Sequence, residues 1–346
     1  MNSIIRIDSK VTVRLFSVLT LAAIFIACAR KVPEVFTHSM PQGSVPWLHN
    51  RFDDTKEKFT FAIVSDLNGG ERKGIFEIAV EQLNLLRPEL IVTVGDLVDG
   101  ESSNKDSIIA EYDSFDARAG KALAPLFHVG GNHDLTDPAM RKVWKDRYGA
   151  HYYYFVYKDV LFLMLDTEDY SDARRSEIFE ARSSAIKVMD GPNPEEAKEM
   201  EYFKMPERVS GQISAEQSAY FTDVIKQHPN VKWTLLFMHK PVWKREMEGG
   251  LQLIESALAQ RPYTLFNGHL HSYSYTLKND RDHIILGTTG GSQPAEGQNS
   301  FDHVTLVTMG AEGPSIANLR LDGILNKTGK IPLNGDSLCF QASRCK

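Results

Sequence analysis

Five short motifs gather the residue types that divalent metals bind. In chain order they are Ser65-Asp66-Leu67-Asn68-Gly69-Gly70, Gly95-Asp96-Leu97-Val98-Asp99, Gly131-Asn132-His133-Asp134, Met238-His239-Lys240-Pro241 and Gly268-His269-Leu270-His271. Carboxylates and amide oxygens are hard donors, and neutral imidazoles suit Zn, Fe, Mn or Ni. Asp66, Asp96, Asn132, His239, His269 and His271 are strong ligand candidates, and Asn68 is a further one. A closed zinc site needs four ligands. The set exceeds one tetrahedral ion and suits two ions, with one carboxylate bridging them. Gly-Asp and Gly-Asn pairs taken singly are common turns. Turn chemistry alone does not repeat them in this order, each behind an apolar run.

The elements that must position these motifs follow from periodicity. Residues 59–65 (FTFAIVS) read as a buried strand, and 74–87 carry helical spacing at Ile75, Ile78, Ala79, Leu83 and Leu86. A strand at 90–94, a helix at 105–122 and a strand at 126–129 continue the alternation that builds an α/β sheet. Residues 151–157 and 160–166 form a hairpin turning at Lys158-Asp159. Ser214 followed by Gln217 makes a capping box for a helix over 214–228. Strands follow at 233–238, 264–267, 273–278, 283–287, 302–308 and 315–321. The motifs stand at or just beyond strand C-terminal ends, where open α/β sheets bind their ligands. Between the halves lies a charge-dense insertion, 168–210, broken by Gly191-Pro192-Asn193-Pro194 and expected to hold two flanking helices. A solvated surface insertion and a lid over the substrate weigh equally for it.

The 346-residue chain has 42% hydrophobic and 24% charged residues, which excludes disordered and fibrous classes. Its net charge of −6, with no long basic run, makes it a poor nucleic-acid scaffold. Three cysteines, Cys28, Cys339 and Cys345, are too few for a disulfide-built fold. Arg6, Lys10 and Arg14 precede an uncharged, mostly apolar stretch over 15–27, the pattern of a secretory signal. Thirteen residues fall short of the ~20 that span a bilayer. Phe25-Ile26-Ala27-Cys28 resembles a bacterial lipobox, with Cys28 acylated after cleavage. The alternatives are an N-terminal anchor helix or an ordinary cleaved leader. The reading gives a signal peptide over 1–27, a tether over 28–57, a domain over 58–325 and a tail over 326–346. The mature chain would keep 36 bases and 44 acids, a net −8. In an oxidising compartment Cys339 and Cys345 make a small terminal disulfide loop. The localisation expected is the bacterial cell envelope, lipid-anchored to its membrane.

The motifs together resemble the calcineurin-like metallophosphoesterase superfamily, over residues 58–310. That family's pattern is Asp-x-His, Gly-Asp-x-x-Asp, Gly-Asn-His-Asp/Glu, His, then Gly-His-x-His. Tyr152 to Phe155, Gly211-Gln212 and Gly287-Thr288-Thr289-Gly290-Gly291 add secondary matches. The resemblance implies a sandwich of two β-sheets flanked by helices, of metallo-dependent phosphatase type. It implies two divalent ions (Mn, Fe, Zn or Mg). Asp66, Asp96 and His271 hold the first, and Asp96 bridges to a second held by Asn132, His239 and His269. A hydroxide between the ions would attack phosphorus in line. His133 would be the general acid at the leaving oxygen, oriented by the carboxylate of Asp99. Asp134 reads as a cap.

Asn68 departs from the family, which has His at that position. It ligates weakly, water replaces it, or the enzyme is impaired; the intact remainder favours a working enzyme. A neutral, harder amide oxygen shifts preference toward Mn or Mg over Zn. The activity expected is hydrolysis of a small phosphomonoester, with a phosphodiesterase or nucleotide hydrolase as alternatives. A non-catalytic metal-binding surface lipoprotein is the reading from another class. His128 and His303 read as core histidines, and His38, His49, His228 and His283 as surface or loop positions. The aromatic run at 152–155 reads as hairpin packing. Lys73, Lys240 and Arg245 could meet substrate phosphate or face solvent.

Overall fold

The computed structural model describes residues 46, 48, 56–100, 102–245, 249–294 and 299–345. The leader, Cys28 and nearly all of the tether lie outside the described residues. Eleven strands are found among the described residues, in two mixed sheets. In chain order the elements are β1 (Phe59–Val64), α1 (Ile75–Leu86), β2 (Leu90–Thr93), α2 (Lys105–Ala119), β3 (Leu126–Phe127), α3 (Asn132–Leu135) and α4 (Pro138–Tyr148). The hairpin β4 (Tyr153–Tyr157) and β5 (Val160–Met164) leads into the insertion, with α5 (Asp172–Met189) and α6 (Glu201–Lys204). Then come α7 (Ala215–Gln227), β6 (Trp233–Phe237), α8 (Gly249–Leu258), β7 (Tyr263–Asn267), β8 (Ser274–Lys278), β9 (Arg281–Ile285), β10 (His303–Gly310) and β11 (Gly313–Arg320).

The first sheet runs β11-β10-β1-β2-β3 and the second β4-β5-β6-β7-β9-β8. The motif-bearing strands of each sheet are parallel: β1 with β2, β2 with β3, and β6 with β7. Parallel strands covered on both faces need apolar residues throughout. That explains the unbroken runs FTFAIV and WTLLF. Phe61, Val92, Phe162, Phe237 and Val307 fill the layer between the sheets. Ile78, Leu83, Tyr112, Phe115 and Trp144 pack one outer face, under α1, α2 and α4. Phe221, Ile225, Ile254 and Leu258 of α7 and α8 pack the other. The result is two mixed sheets flanked by helices.

The hairpin turns at Lys158 and Asp159, both left-handed. Tyr153 and Phe155 face the inter-sheet layer while Tyr152 and Tyr154 face the α7 layer, so the aromatic run is packing. Ser214 caps α7 by accepting from Gln217 N at 3.1 Å. Three expectations need correction. The insertion has one long helix, α5. Beyond the break it has only short pieces, a six-residue 3₁₀ segment starting at Pro194, the four-residue α6 and a 3₁₀ turn starting at Pro206, each proline standing at a first position where its missing N–H is no loss. Residues 326–345 are not a loose tail, because Ile331 and Phe340 join the core around α1. His283 lies within β9 and is buried against Trp243 and Glu255. Near the end of the chain the sulfurs of Cys339 and Cys345 are joined, with their Cα atoms 6.0 Å apart.

Candidate metal centre

Both sheets end on one rim, and the motifs turn there. Asp66, Asp96, His269 and His271 all adopt left-handed backbone, with φ of 48°, 56°, 74° and 51°. Asp and His tolerate this region better than branched residues do. Such strain persists only where the surroundings over-determine it, a common property of functional sites. Gly95 supports the turn after β2: a Cβ there would lie 2.4 Å from His239 Nδ1, and its own φ is +104°.

The turns bring the candidate donors into two groups. Asp66, Asp96 and His271 form one, and Asp96, His239 and His269 the other, with ligand atoms in each group within 4.8 Å of one another. Asp96 belongs to both. Asn132 joins the second, its Oδ1 being 3.2 Å from His239 Nε2. Each imidazole is fixed from behind by a main-chain carbonyl. His239 Nδ1 donates to Val94 O at 2.8 Å, His271 Nδ1 to Ser292 O at 2.5 Å, and His269 Nε2 to Arg208 O at 2.8 Å. That leaves the second ring nitrogen of each as the lone pair, the usual outer support of a metal-ligating histidine.

The donor set fits cations on three observations. His239 Nε2 faces two oxygens, Asp96 Oδ2 at 3.1 Å and Asn132 Oδ1 at 3.2 Å, an arrangement of lone pairs that calls for a proton or a cation among them. Burial opposes charge on His239, yet the Asp96 and Asp66 carboxylates outweigh it and push its pKa up to about 9. Burial likewise opposes charge on Asp96, but His239 and His133 hold its carboxyl well below the usual range. Burial, then Lys240 and His239, keep His269 neutral, the form that ligates. Asn68 supplies the third observation. It is buried, its Nδ2 donates to Leu97 O at 2.9 Å, and its Oδ1 has no hydrogen-bond partner. An unpaired buried amide oxygen costs about 1–3 kcal/mol, a cost that a cation would remove.

His133 sits beside the groups, at the floor of a cleft of about 780 Å³. Its amide donates to Asp96 Oδ1 at 3.0 Å. Its Nδ1 contact is a correction: the partner is the main-chain carbonyl of Asp99 at 2.6 Å, not the carboxylate. Asp99 Oδ1 instead accepts from Gly70 N at 3.3 Å. Asp99 therefore holds His133 through its backbone. Asp134 accepts from Gly131 N at 2.8 Å and from Leu97 N at 3.2 Å, capping α3 and clamping the Asp96 turn.

The insertion forms one wall of this cleft. Arg182 of α5 donates from Nη2 to His133 Nε2 at 2.9 Å and from Nη1 to Tyr202 Oη at 2.6 Å. Arg208 lines the same cleft, its guanidinium over the Phe203 ring at 4.7 Å. Lys240 and Arg245 turn the other way. Lys240 is buried against Glu168 at 2.7 Å, and Arg245 lies 3.6 Å from Glu207. Glu207 also pairs with Arg174 at 2.9 Å, so these cations fasten the insertion to the domain. Lys73 is exposed and does not line the cleft. Sequence reasoning missed Arg182 and Arg208, although Arg182, Ala185, Ile186 and Met189 share a helical face by spacing alone.

Comparison with known proteins agrees with this geometry. A family model, calcineurin-like phosphoesterase, matches residues 59–273. A dimetal phosphatase from Danio rerio is similar in structure, with a TM-score of 0.50 and 16% identity over 76% of this chain and 98% of that one. A purple acid phosphatase from yellow lupin seeds has a TM-score of 0.50 and 12% identity over 78% of this chain and 52% of that one. At these identities the likeness is one of fold. No curated protein matches the sequence.

Proposed function

The chain belongs to the calcineurin-like phosphoesterase family, and on that premise we propose that it hydrolyses phosphate monoesters at a centre of two divalent ions. The observation that carries this is the pair of donor groups sharing Asp96, with His133 beside them. Asp66, Asp96 and His271, with the Asn68 amide oxygen, would hold one ion. Asp96, Asn132, His239 and His269 would hold the other. Such ions, when bound, activate water and neutralise charge on phosphoryl oxygens. The amide oxygen of Asn68 favours Mn or Mg over Zn at the first position.

The chain's own residues do the rest. His133 is held through Nδ1 by the Asp99 carbonyl, so Nε2 is the atom left to serve the leaving oxygen. Arg182 donates to that same nitrogen. A proton can sit on Nε2 only when the guanidinium moves off it, and an entering phosphoryl group is the partner a guanidinium prefers. Two arginines on the cleft, Arg182 and Arg208, suit the greater charge of a monoester over a diester.

One preparation tests the proposal. Bound metals are counted, then a phosphomonoester, a phosphodiester and a nucleotide are assayed across Mn, Fe, Zn and Mg. We expect two ions per chain, fastest turnover of the monoester, and a loss of about 10²–10⁴ in kcat for His133→Ala with unchanged metal content. No turnover with any metal would instead support a non-catalytic metal-binding module. We also propose export and a lipid anchor at Cys28. The Cys28→Ser variant should leave the membrane fraction with its activity intact; continued sedimentation with membranes would defeat the anchor.

A further inference from the structure

We infer that the insertion forms a subsite for the leaving group, and that the substrates are phosphate esters of apolar alcohols, aryl or alkyl, rather than of sugars or polyols. This deepens the phosphoesterase reading and rests on it.

The argument starts from α5. Arg182, Ala185, Ile186 and Met189 line the cleft, at the i, i+3, i+4 and i+7 positions of one helical face. Arg182 marks the inner end, where its Nη2 meets His133 Nε2 at 2.9 Å. Met189 lies seven residues on, about 10 Å along the axis at 1.5 Å per residue. The Met189 side chain leans back toward the helix N-terminus, so the gap left for an aryl or alkyl group is shorter than that axial rise. Ala185 is buried as packing for the insertion, but Met189 is 50% exposed. Across the wall Val209 is 41% exposed and Phe203 half-buried.

Single exposed apolar residues are normal on protein surfaces. These are gathered on one wall of a cleft whose floor carries the candidate metal ligands, and ligand sites characteristically combine apolar walls with a few placed polar groups. Of the polar side chains on this wall, Tyr202 and Arg208 have partners within it, and Asp190 is exposed at the outer end of α5. Tyr202 Oη accepts from Arg182, and Arg208 lies over Phe203. A site that selects a polyol must offer it hydroxyl partners. This wall offers apolar area, and covering such area from water favours an apolar leaving group.

The test uses the Mn-loaded full-length chain and two non-hydrolysable probes, methylphosphonate and phenylphosphonate, measured by calorimetry. Phenylphosphonate should bind about tenfold more tightly. The exposed-site double variant Met189→Ser/Val209→Ser should erase most of that gap and leave methylphosphonate unchanged. In turnover, the same variant should lower kcat/KM for phenyl phosphate about tenfold relative to glycerol phosphate. Equal binding of the two phosphonates overturns the subsite while leaving phosphoester hydrolysis standing. Tight phenylphosphonate binding that the double variant does not weaken also overturns it. Binding of neither probe, with no phosphoester turned over, overturns the subsite together with the parent reading.

Discussion

At the scale of single residues, Asn68 stands where the motif the chain resembles has His, and its environment says what the amide can offer. Its Nδ2 is committed to Leu97 O, so the amide cannot turn without losing that bond. Its Oδ1, buried and unpartnered, is therefore the atom presented for a cation. Replacing it by imidazole would exchange a hard neutral oxygen for a nitrogen that Zn prefers. Asn68→His should raise Zn affinity at the first position about tenfold or more, read by competition with a chelating dye. Unchanged affinity and stoichiometry across the titration would mean that Asn68 makes no metal contact. The candidate donors were picked out by side-chain type, which is what metals select, and the fold brings Asp66, Asp96, His239, His269 and His271 into two groups. Asp99 was half legible: its position was right, but the group that holds His133 is a carbonyl, which every residue carries and no sequence displays. Arg182 was hidden for another reason. In a stretch where 18 of 43 residues are charged, no single charge stands out, and only the fold shows which one reaches the cleft.

At the scale of elements, the site is a set of strand ends, and its precision depends on how tightly they turn. Gly95 closes the turn between β2 and Asp96 with its Cα against the His239 ring. Gly95→Ala would place a methyl 2.4 Å from His239 Nδ1, at a φ of +104° that alanine disfavours. The ring would have to give up its bond to Val94 O, 2.8 Å long, and with it the orientation of Nε2. The variant should lose about 1–3 kcal/mol in urea unfolding and bind fewer metal ions than the parent. Full metal content in the variant would show that the rim tolerates the methyl by shifting. The strands themselves were legible, since runs buried on both faces leave continuous apolar stretches. The insertion was less so. Its proline positions were visible, but whether the segments between them would be helices or single turns depends on what they pack against. In this fold they pack on the cleft and on the Glu207 cluster.

At the scale of the whole molecule, two histidines outside the candidate ligands, His303 buried and His128 half-buried, make stability depend on pH. His128 lies among Tyr148, Phe115 and Trp144, with ring centroids at 4.7, 5.6 and 6.5 Å, and its buried Nδ1 has no hydrogen-bond partner. His303 is buried at the start of β10 and accepts from Gly287 N at 2.9 Å. Burial lowers each to about 4 in the folded chain, against about 6.5 when unfolded. Between those values the unfolded chain binds protons that the folded chain refuses. Stability is therefore complete above pH about 6.5, falls as pH drops toward 4, and levels off below. The loss reaches up to about 3 kcal/mol for each histidine, at 1.36 kcal/mol per pKa unit. Asp134 and Asp302, raised by burial to about 7 and about 6, push the other way, so a single protein's pH profile blends the effects. A pair of proteins separates them. His128→Phe removes an unpaired buried nitrogen and keeps an aromatic ring in an aromatic cluster, so at pH 7 it should be at least as stable as the parent. At pH 4.5 its advantage should widen by about 2–3 kcal/mol, read from urea midpoints at both pH values. An advantage that stays constant with pH would mean that His128 takes up its proton without unfolding, and the closed aromatic packing around it would then have to open to water.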